Sequence, residues 1–576
     1  MSKFVVRYQK DLDIIKNNFL YGDIKVINSL IKKYIVVCLL GISLLYANEL
    51  EYQDDASIVI SNSLKSQSGH QFLKSLYKQV LYMPIWMKEK HLSKPAQELF
   101  ECIENDKTLN PFGKLYNDAR YLHQVAEDIY TNNGSLADKM SIEFKISQIY
   151  RGYLNYLYFG SINWGAFKAR ISNLMIDDVH TDWILHRPKV NPIAIAENAL
   201  FGVSLKQQLD KNMPTQYHYK ALQKELVRYM DIQKNGGWQK VTLSHYKLKP
   251  NQKDKGVPSL RKRLIITGDY NGSDTNMDSI VYDKPLVEAL KRFQARNGLV
   301  VDGVVGGGTL KALNEPVESK ITKIRLNLDR IKWLNKRKGR YHIVINIPDF
   351  RLNFEDNGTV IQNIKVITGK PNHPTPIFGD TVELIVLNPY WNVPTSIIQN
   401  EMIPKLLRNP YALKKQNIEI LTGWGKNAEV VDPASVNWAE YRYSRRVPYR
   451  FAQLPGYANA LGKIKFLFPN KFSVYMHDTP TKRLFKRHKR AFSHGCVRLQ
   501  KPRELLKTFA SIDSSIDLNK AFEILKGKKN TTIKLQRTVP VDIVYLTAYV
   551  DYDGNLQFRD DVYNYDKMQL KSFREW

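Results

Sequence analysis

Cysteine is nearly absent: the 576 residues hold only Cys38, Cys102 and Cys496, too few for a disulfide-stapled scaffold or a four-cysteine zinc site. Neither a paired CxxC nor an HExxH occurs, and His477, His488 and His494 lack a ligand-like spacing with carboxylates, so no metal and no cofactor is expected. Gly306-Gly307-Gly308-Thr309 lacks the lysine of a phosphate-binding loop. Long apolar runs are also missing. The one candidate, Tyr34 to Ala47 behind Lys32 and Lys33, falls short of the roughly 20 residues of a comfortable membrane span. It reads as a signal peptide ending at Leu45-Tyr46-Ala47, with an uncleaved signal anchor as the alternative; the long stretch before it leaves the translation start open. The expected location is therefore outside the cytoplasm, in the periplasm or cell envelope, anchored to the inner membrane if the segment is retained. Acidic residues are scarce too, 56 against 86 basic ones, for a formal net charge of +30. An exported chain meets little nucleic acid, so acidic envelope polymers and carboxylate-bearing peptides are the expected anionic partners.

The hydrophobic pattern divides the chain. After the N-terminal region, 1–47, residues 65–245 read as a helical scaffold. Tyr219, Leu222, Leu226 and Tyr229 recur on one helix face, Tyr150 to Phe159 reads as packed helix, and Gly236-Gly237 stops the pattern before Trp238. No titratable cluster in this region demands chemistry. Residues 257–318 form a small helical unit. Asp283 and Pro285 start a helix with inner face Leu286, Leu290 and Phe293, Asn297-Gly298 end it, and Thr309 is expected to cap a second helix carrying Leu310 and Leu313. From 340 to 510 the period becomes that of strands. Tyr341, Ile343, Ile345 and Ile347 alternate, Asn357-Gly358 signals a hairpin, Thr381 to Leu387 continues the sheet, and 395–450 reads as a partly helical insertion. Phe472 to Met476 is expected as the strand that delivers His477, and Pro502 as the first turn of a helix. Residues 511–576 remain as a C-terminal extension. The fold class is multidomain α+β.

The chemistry concentrates in Ser493-His494-Gly495-Cys496-Val497-Arg498, with His477 nineteen residues before the cysteine. A thiol attacks as thiolate, a minor species at neutral pH for an ordinary cysteine, so a nucleophilic cysteine needs a base close by. Gly495 leaves room for a substrate carbonyl and for backbone N–H groups to face it. A buried or disulfide-bonded Cys496, paired with Cys102, is the other reading; the polar, histidine-flanked, basic surroundings favour a reactive thiol. Lys482, Arg483, Lys486, Arg487, Lys489 and Arg490 lie between His477 and Cys496, either as a solvated loop or as a patch that draws an anionic substrate to the mouth of the site.

His477, the fifteen-residue gap and Ser493 to Arg498 resemble the signature of the L,D-transpeptidase (YkuD) catalytic domain. So do Gly369-Lys370-Pro371, Thr375-Pro376, Asn388 to Pro394, Pro455-Gly456, Asn459 to Gly462 and Lys465-Phe466. The small helical unit resembles a peptidoglycan-binding domain through Leu290 to Gln294 and Asp302 to Thr309, and Tyr82 to Trp86 with Gly236 to Trp238 resembles the scaffold of the YcbB-like subgroup. Arg498 stands where many of the wider family carry Asn, and His494 where the subgroup often has Ser.

The resemblance implies a mainly-β catalytic domain and a cysteine-dependent acyltransferase. Cys496 would attack a tetrapeptide stem of peptidoglycan, expel the terminal D-alanine and pass the acyl group to a neighbouring stem, giving a 3-3 cross-link. Water as acceptor would make the same site an L,D-carboxypeptidase. His477 would be the base, His494 and Gly495 would shape the site, and Arg498, Ser493, Trp391 and Tyr475 would contact substrate. Asp478 is either an orienting residue or a turn residue. The implied partners are stem peptides and glycan strands, not nucleic acid; oligomeric state is left open. A non-catalytic wall-binding scaffold and a polyanion or membrane-surface binder are the competing readings.

Overall fold

The computed structural model describes residues 49–65, 70–173, 182–186, 188–270, 277–334, 339–425, 427–444 and 446–573. The apolar run at 34–47 and Cys38 lie outside the described residues, among which no helix is long and apolar enough to cross a membrane. The chain forms two compact units, one from Met1–Asn155 and Lys189–Asn212, the other from Tyr156–Pro188 and Met213–Glu575. The helical region expected at 65–245 is thus divided between them. The reason is visible at Trp183, whose strand-like bridge to Ile377 and whose burial with Trp333 attach its segment to the sheet-bearing unit.

The first unit is helical because its apolar residues repeat at helix spacing and its helix starts are capped. Ser93 accepts from the Ala96 N–H at 3.3 Å, with a proline in the first turn, and Lys94–Asn105 then buries Ala96, Leu99, Phe100 and Ile103. One polar group lies at its centre. The Glu143 carboxylate is buried and accepts from the backbone of Ile85 (2.7 Å), Trp86 (2.9 Å) and Met87 (2.8 Å) and from the Tyr77 hydroxyl (2.7 Å). It serves as a bracket for an irregular turn whose N–H groups have no strand or helix to bond to. Glu143→Ala would strand the three backbone donors, while the Tyr77 hydroxyl keeps Ser147 at 2.8 Å, and a loss of about 3–5 kcal/mol is expected at roughly 1–3 kcal/mol for each buried donor left unsatisfied. Calorimetric melting of the full chain, with its two units followed separately, checks this.

In the second unit, Tyr219–Lys234 buries Tyr219, Leu222, Leu226 and Tyr229 and ends before Gly236 and Gly237, both at positive φ. The small helical unit follows its expected capping at one helix and departs from it at the other. Asp283 accepts from the Leu286 N–H at 3.0 Å to open Lys284–Arg296, and Gly298 (φ +61°) ends it. Thr309, expected as a cap, lies inside Gly307–Leu313; Gly306 occupies the cap position and the buried Thr309 hydroxyl bonds back to the Val304 carbonyl.

The catalytic-region strands are β1 Tyr341–Asn346, β2 Arg351–Asp356, β3 Thr359–Gly369, β4 Phe378–Leu387, β5 Trp391–Asn392, β6 Ile418–Leu421, β7 Arg450–Gln453, β8 Ile464–Leu467, β9 Met476–His477, β10 Ala491–Ser493, β11 Val497–Leu499, β12 Thr531–Val544, β13 Ala548–Val550 and β14 Leu556–Phe558. Nine form one sheet in the order β10-β3-β11-β9-β8-β4-β12-β1-β2, and a further β3–β2 pairing closes it on itself. Asn357 (φ +47°) and Gly358 (φ +82°) supply the two left-handed residues that a tight β2–β3 hairpin needs. Helix Pro502–Ile512 lays Leu505, Leu506 and Phe509 on the core, Phe509 stacking on Phe466 with ring centroids 5.5 Å apart.

Three differences from the sequence reading bear on the site. β1 is buried on both faces, Ile343 and Ile345 in one core and Val344 in another, so simple alternation understates it. The strand expected over Phe472–Met476 shrinks to β9, because Ser473 takes a left-handed φ of 54° inside a turn whose Phe472 and Val474 N–H groups bond to the Asn470 side chain. The segment 511–576 is more than an extension, since its β12 lies between β4 and β1 within the sheet. The insertion holds its own core, in which Ile398, Met402, Ile403, Trp438 and Phe451 pack beneath the small β5-β7-β6 sheet.

Candidate active site

Strand register assembles the site. β11 runs parallel to β9 with Arg498 opposite His477 and Val497 opposite Met476, and the Val497 N–H donates to the Tyr475 carbonyl at 3.1 Å. β8 runs antiparallel on the other side of β9 with Lys465 opposite His477. Side chains alternate along strands, so Met476, Val497 and Phe466 point into the core while Tyr475, His477, Cys496, Arg498 and Lys465 share the opposite face. Cys496 and His477 are diagonal neighbours, a relation that in paired strands spans about 7–8 Å between backbones and lets side chains meet.

The nucleophile loop is held from several directions. The Ser493 hydroxyl donates to the Cys496 carbonyl at 2.6 Å and accepts from the Gly495 N–H at 3.2 Å. Gly495 has φ +113°, which a side chain would strain although space is open around it. Thr375 donates to the Gly495 carbonyl at 2.8 Å and accepts from the Gly369 N–H at 2.9 Å, tying the end of β3 to the loop. Tyr563, from the C-terminal segment, donates to the Gly369 carbonyl at 2.7 Å. The Gly495 N–H is thus occupied, whereas the Cys496 N–H has no protein acceptor among the described residues.

The His477 ring is buried, and its Nδ1 donates to the Asp478 carbonyl at 2.5 Å, which leaves Nε2 as the acceptor when the ring is neutral. Burial, with Arg498 and Lys465 nearby, lowers its pKa from 6.5 to about 3. The orienting group is therefore a backbone carbonyl. The Asp478 carboxylate faces away, accepting from the N–H groups of Lys463 (3.0 Å) and Thr479 (2.7 Å) and from Lys482 (2.5 Å). Cys496 and Cys102 are both free thiols. Burial raises the Cys496 pKa above its ordinary value, opposed by hydrogen bonds from Tyr475 and by the charges of Lys465 and Arg498; the thiol points at the Ser473 carbonyl, 3.9 Å away. Burial thus favours the uncharged form of both the thiol and the imidazole.

Two cations on this face have no carboxylate partner among the described residues. The Arg498 Nε is buried without a hydrogen bond, and the Lys465 ammonium lies 3.7 Å from the Tyr475 ring centroid with its pKa lowered by burial. An uncompensated buried cation is costly, and such groups cluster where an anion is to be met. His494 lies at the edge, its Nε2 3.3 Å from Glu401 of the insertion and its ring 4.9 Å from that of His373. Trp391 is placed elsewhere, half-buried against the insertion core. Lys465, Thr375, Glu401 and Tyr563 were not singled out as site residues from sequence. Thr375-Pro376 and Lys465-Phe466 enter the sequence reading only as parts of the family resemblance; the β8–β9 pairing brings Lys465 to the site, and nothing local marks Glu401 or Tyr563.

The model of the L,D-transpeptidase catalytic domain (YkuD) matches residues 340–533, a scaffold domain matches 71–226, and a "Putative peptidoglycan binding domain" matches 253–313. Residues 340–533 are thus similar to the catalytic domain of the L,D-transpeptidases. Among curated relatives, a "Putative L,D-transpeptidase" of Haemophilus influenzae is 34% identical over 253 residues, 43% of this chain and 49% of the relative. The match thus spans about half the length of that relative. Solved structures with similarity include an L,D-transpeptidase of Stackebrandtia nassauensis (14% identity, 51% of this chain and 94% of that one, TM-score 0.21). An L,D-transpeptidase from Mycobacterium smegmatis is another (12%, 35% and 58%, TM-score 0.17).

Proposed function

We propose that this protein forms 3-3 cross-links in peptidoglycan through a thioester on Cys496. The observation that carries the reading is the strand register that puts Cys496, His477, Tyr475, Arg498 and Lys465 on one face. Cys496 Sγ attacks the carbonyl of the third residue of a tetrapeptide stem as its proton passes to His477 Nε2. The Cys496 N–H receives the oxyanion, an effect of about 3–4 kcal/mol for a single donor in other acyl-transfer sites. The carbon–nitrogen bond to D-alanine breaks, and the amine leaves with the proton from His477. The side-chain amine of a second stem then attacks the thioester, restoring the thiol. Arg498 and Lys465 are suited to the free carboxylates of the stems, Arg498 by its planar fork. Ser493 and Gly495 hold the loop open, and the Glu401–His494 contact brings the insertion to the side from which an acceptor would enter. The same reading puts the protein at the cell wall, outside the cytoplasmic membrane, reached through the apolar segment at 34–47.

Incubating the purified chain with a defined disaccharide tetrapeptide and weighing the products tests this. A dimer lighter than two substrates by one D-alanine is expected. Tripeptide monomer alone would replace transfer with hydrolysis, and unchanged substrate alongside a thiol that still alkylates would end the acyl-transfer reading.

A further inference from the structure

An acyl group on Cys496 can be taken up only by a nitrogen with a free lone pair, and the side-chain amine of a diamino acid, like that of lysine, is an ammonium ion at neutral pH. Two protons must therefore leave that nitrogen. The first goes before attack; the second goes as the amide forms, and His477 can carry it to the departing sulfur. A buried imidazole that had taken the first could not take the second. The first proton needs an acceptor of its own.

The insertion brings one carboxylate to the nucleophile loop. Glu401 lies in the wide π-helical turn Ile398–Met402, whose Ile398 and Met402 are buried in the insertion core and whose Gln399 donates to the Tyr441 carbonyl at 3.2 Å. The turn is anchored while the Glu401 side chain stands half exposed. A turn of this width holds one residue more than an α-helical turn, and such turns recur at functional sites. The carboxylate lies 3.3 Å from His494 Nε2, and no lysine or arginine forms an ion pair with it among the described residues. Asp478, by contrast, is already engaged by Lys482. His494 precedes Cys496 by two residues, which limits the separation of their Cα atoms to about 7 Å. Burial, with the charges of Lys370, His373 and Arg498, holds the His494 pKa below the ordinary imidazole value against the pull of Glu401, so the ring is a free base at neutral pH. A third of its side chain is exposed, which lets it exchange protons with water. Charge around the thiol is thus sorted, with Arg498 and Lys465 on the strands and Glu401 on the insertion.

We propose that Glu401 and His494 form the acceptor side of the site, where Glu401 receives the ammonium group of the incoming amine and the His494 ring takes its first proton. This rests on the thioester reading above and adds the charge by which the site selects its acceptor. The proton passes from the ammonium nitrogen to His494 Nδ1, since a carboxylate beside Nε2 keeps the ring's own proton on that atom, and His494 then loses it to water at its exposed edge. The neutral nitrogen bonds to the thioester carbon and the carbon–sulfur bond breaks. The second proton travels through His477 to Sγ, so both rings end neutral and the thiol is restored. Water as acceptor has no positive charge for Glu401 to attract, so the pair tilts the outcome from hydrolysis toward transfer.

Glu401→Gln and His494→Gln in the full chain, supplied with the disaccharide tetrapeptide at neutral pH, test this through the ratio of dimer to tripeptide, both identified by mass. The ratio is expected to fall about tenfold for Glu401→Gln, which removes an attraction, and about 10²-fold for His494→Gln, the low end of what a positioned proton acceptor contributes. An aminooxy compound, whose nitrogen is already unprotonated at neutral pH, is then added as acceptor. With no first proton to remove, both variants are expected to transfer to it within about twofold of the unaltered chain. Alkylation of Cys496 in each variant verifies that the loop is intact. An unmoved ratio, an equal loss of dimer and tripeptide as from a contact that only holds the insertion in place, or a deficit that persists with the aminooxy acceptor overturns the proposal. An unaltered chain that never releases D-alanine overturns it together with the thioester reading, a result distinct from D-alanine release with an unmoved ratio.

Discussion

Cys496→Ala is expected to abolish both dimer and tripeptide formation from the disaccharide tetrapeptide, a fall of at least about 10⁴ in turnover, as for removal of a nucleophile in other acyl-transfer sites. Its binding to sacculi should survive. The expectation follows from how the loop is held: Ser493, Thr375 and Gly495 fix the backbone through atoms that do not involve the thiol, so the alanine variant keeps its fold. An unchanged melting temperature with lost turnover, read by mass, separates a chemical role from a structural one. A variant that still released D-alanine would return the protein to the class of wall-binding scaffolds. Cys102 offers no rescue, because burial pushes its thiol up to about 11.

What could be read from the chain divides along a physical line. The helix Tyr219–Lys234, the Asn357-Gly358 hairpin and the Pro502 helix start all depend on residues a few positions apart, and local periodicity, turn chemistry and capping reported them. The nucleophile loop was legible for the same reason, as Ser493 to Arg498 is one contiguous stretch. Lys465 was not, since it reaches the site only through the β8–β9 register, which a single sequence does not encode locally. Nor was the place of β12: a strand that enters a sheet between β4 and β1 from the far end of the chain leaves no mark on its neighbours in sequence. Thr309 failed differently, because Gly306 offered the helix an equally good start and the threonine hydroxyl found a carbonyl instead.

Replacing His477 by Asn should lower turnover by about 10²–10⁴, the range for loss of a general base, while leaving the pH dependence of Cys496 alkylation where it was. Both parts follow from a neutral pair. With its pKa at about 3, the imidazole carries no charge that could hold a thiolate in the resting enzyme, and it acts only as the sulfur attacks. Iodoacetamide labelling should therefore be slow at neutral pH and climb into the alkaline range, whereas a thiolate–imidazolium pair would give a plateau from mildly acid pH. Lys465→Met should do the reverse of His477→Asn in this assay. It removes a charge that pulls the thiol down, so the alkaline rise should move to higher pH. If the histidine substitution displaced the labelling curve and the lysine one did not, the resting pair would be ionic after all. The depressed histidine also has a stability consequence of fixed sign. Above pH 6.5 folded and unfolded chains both hold it neutral; as pH falls from 6.5 toward about 3, only the unfolded chain takes the proton, and stability drops by up to about 1.4 kcal/mol per unit. The Asn variant should lose that part of its acid sensitivity, which urea midpoints measured between pH 6.5 and 4 would reveal.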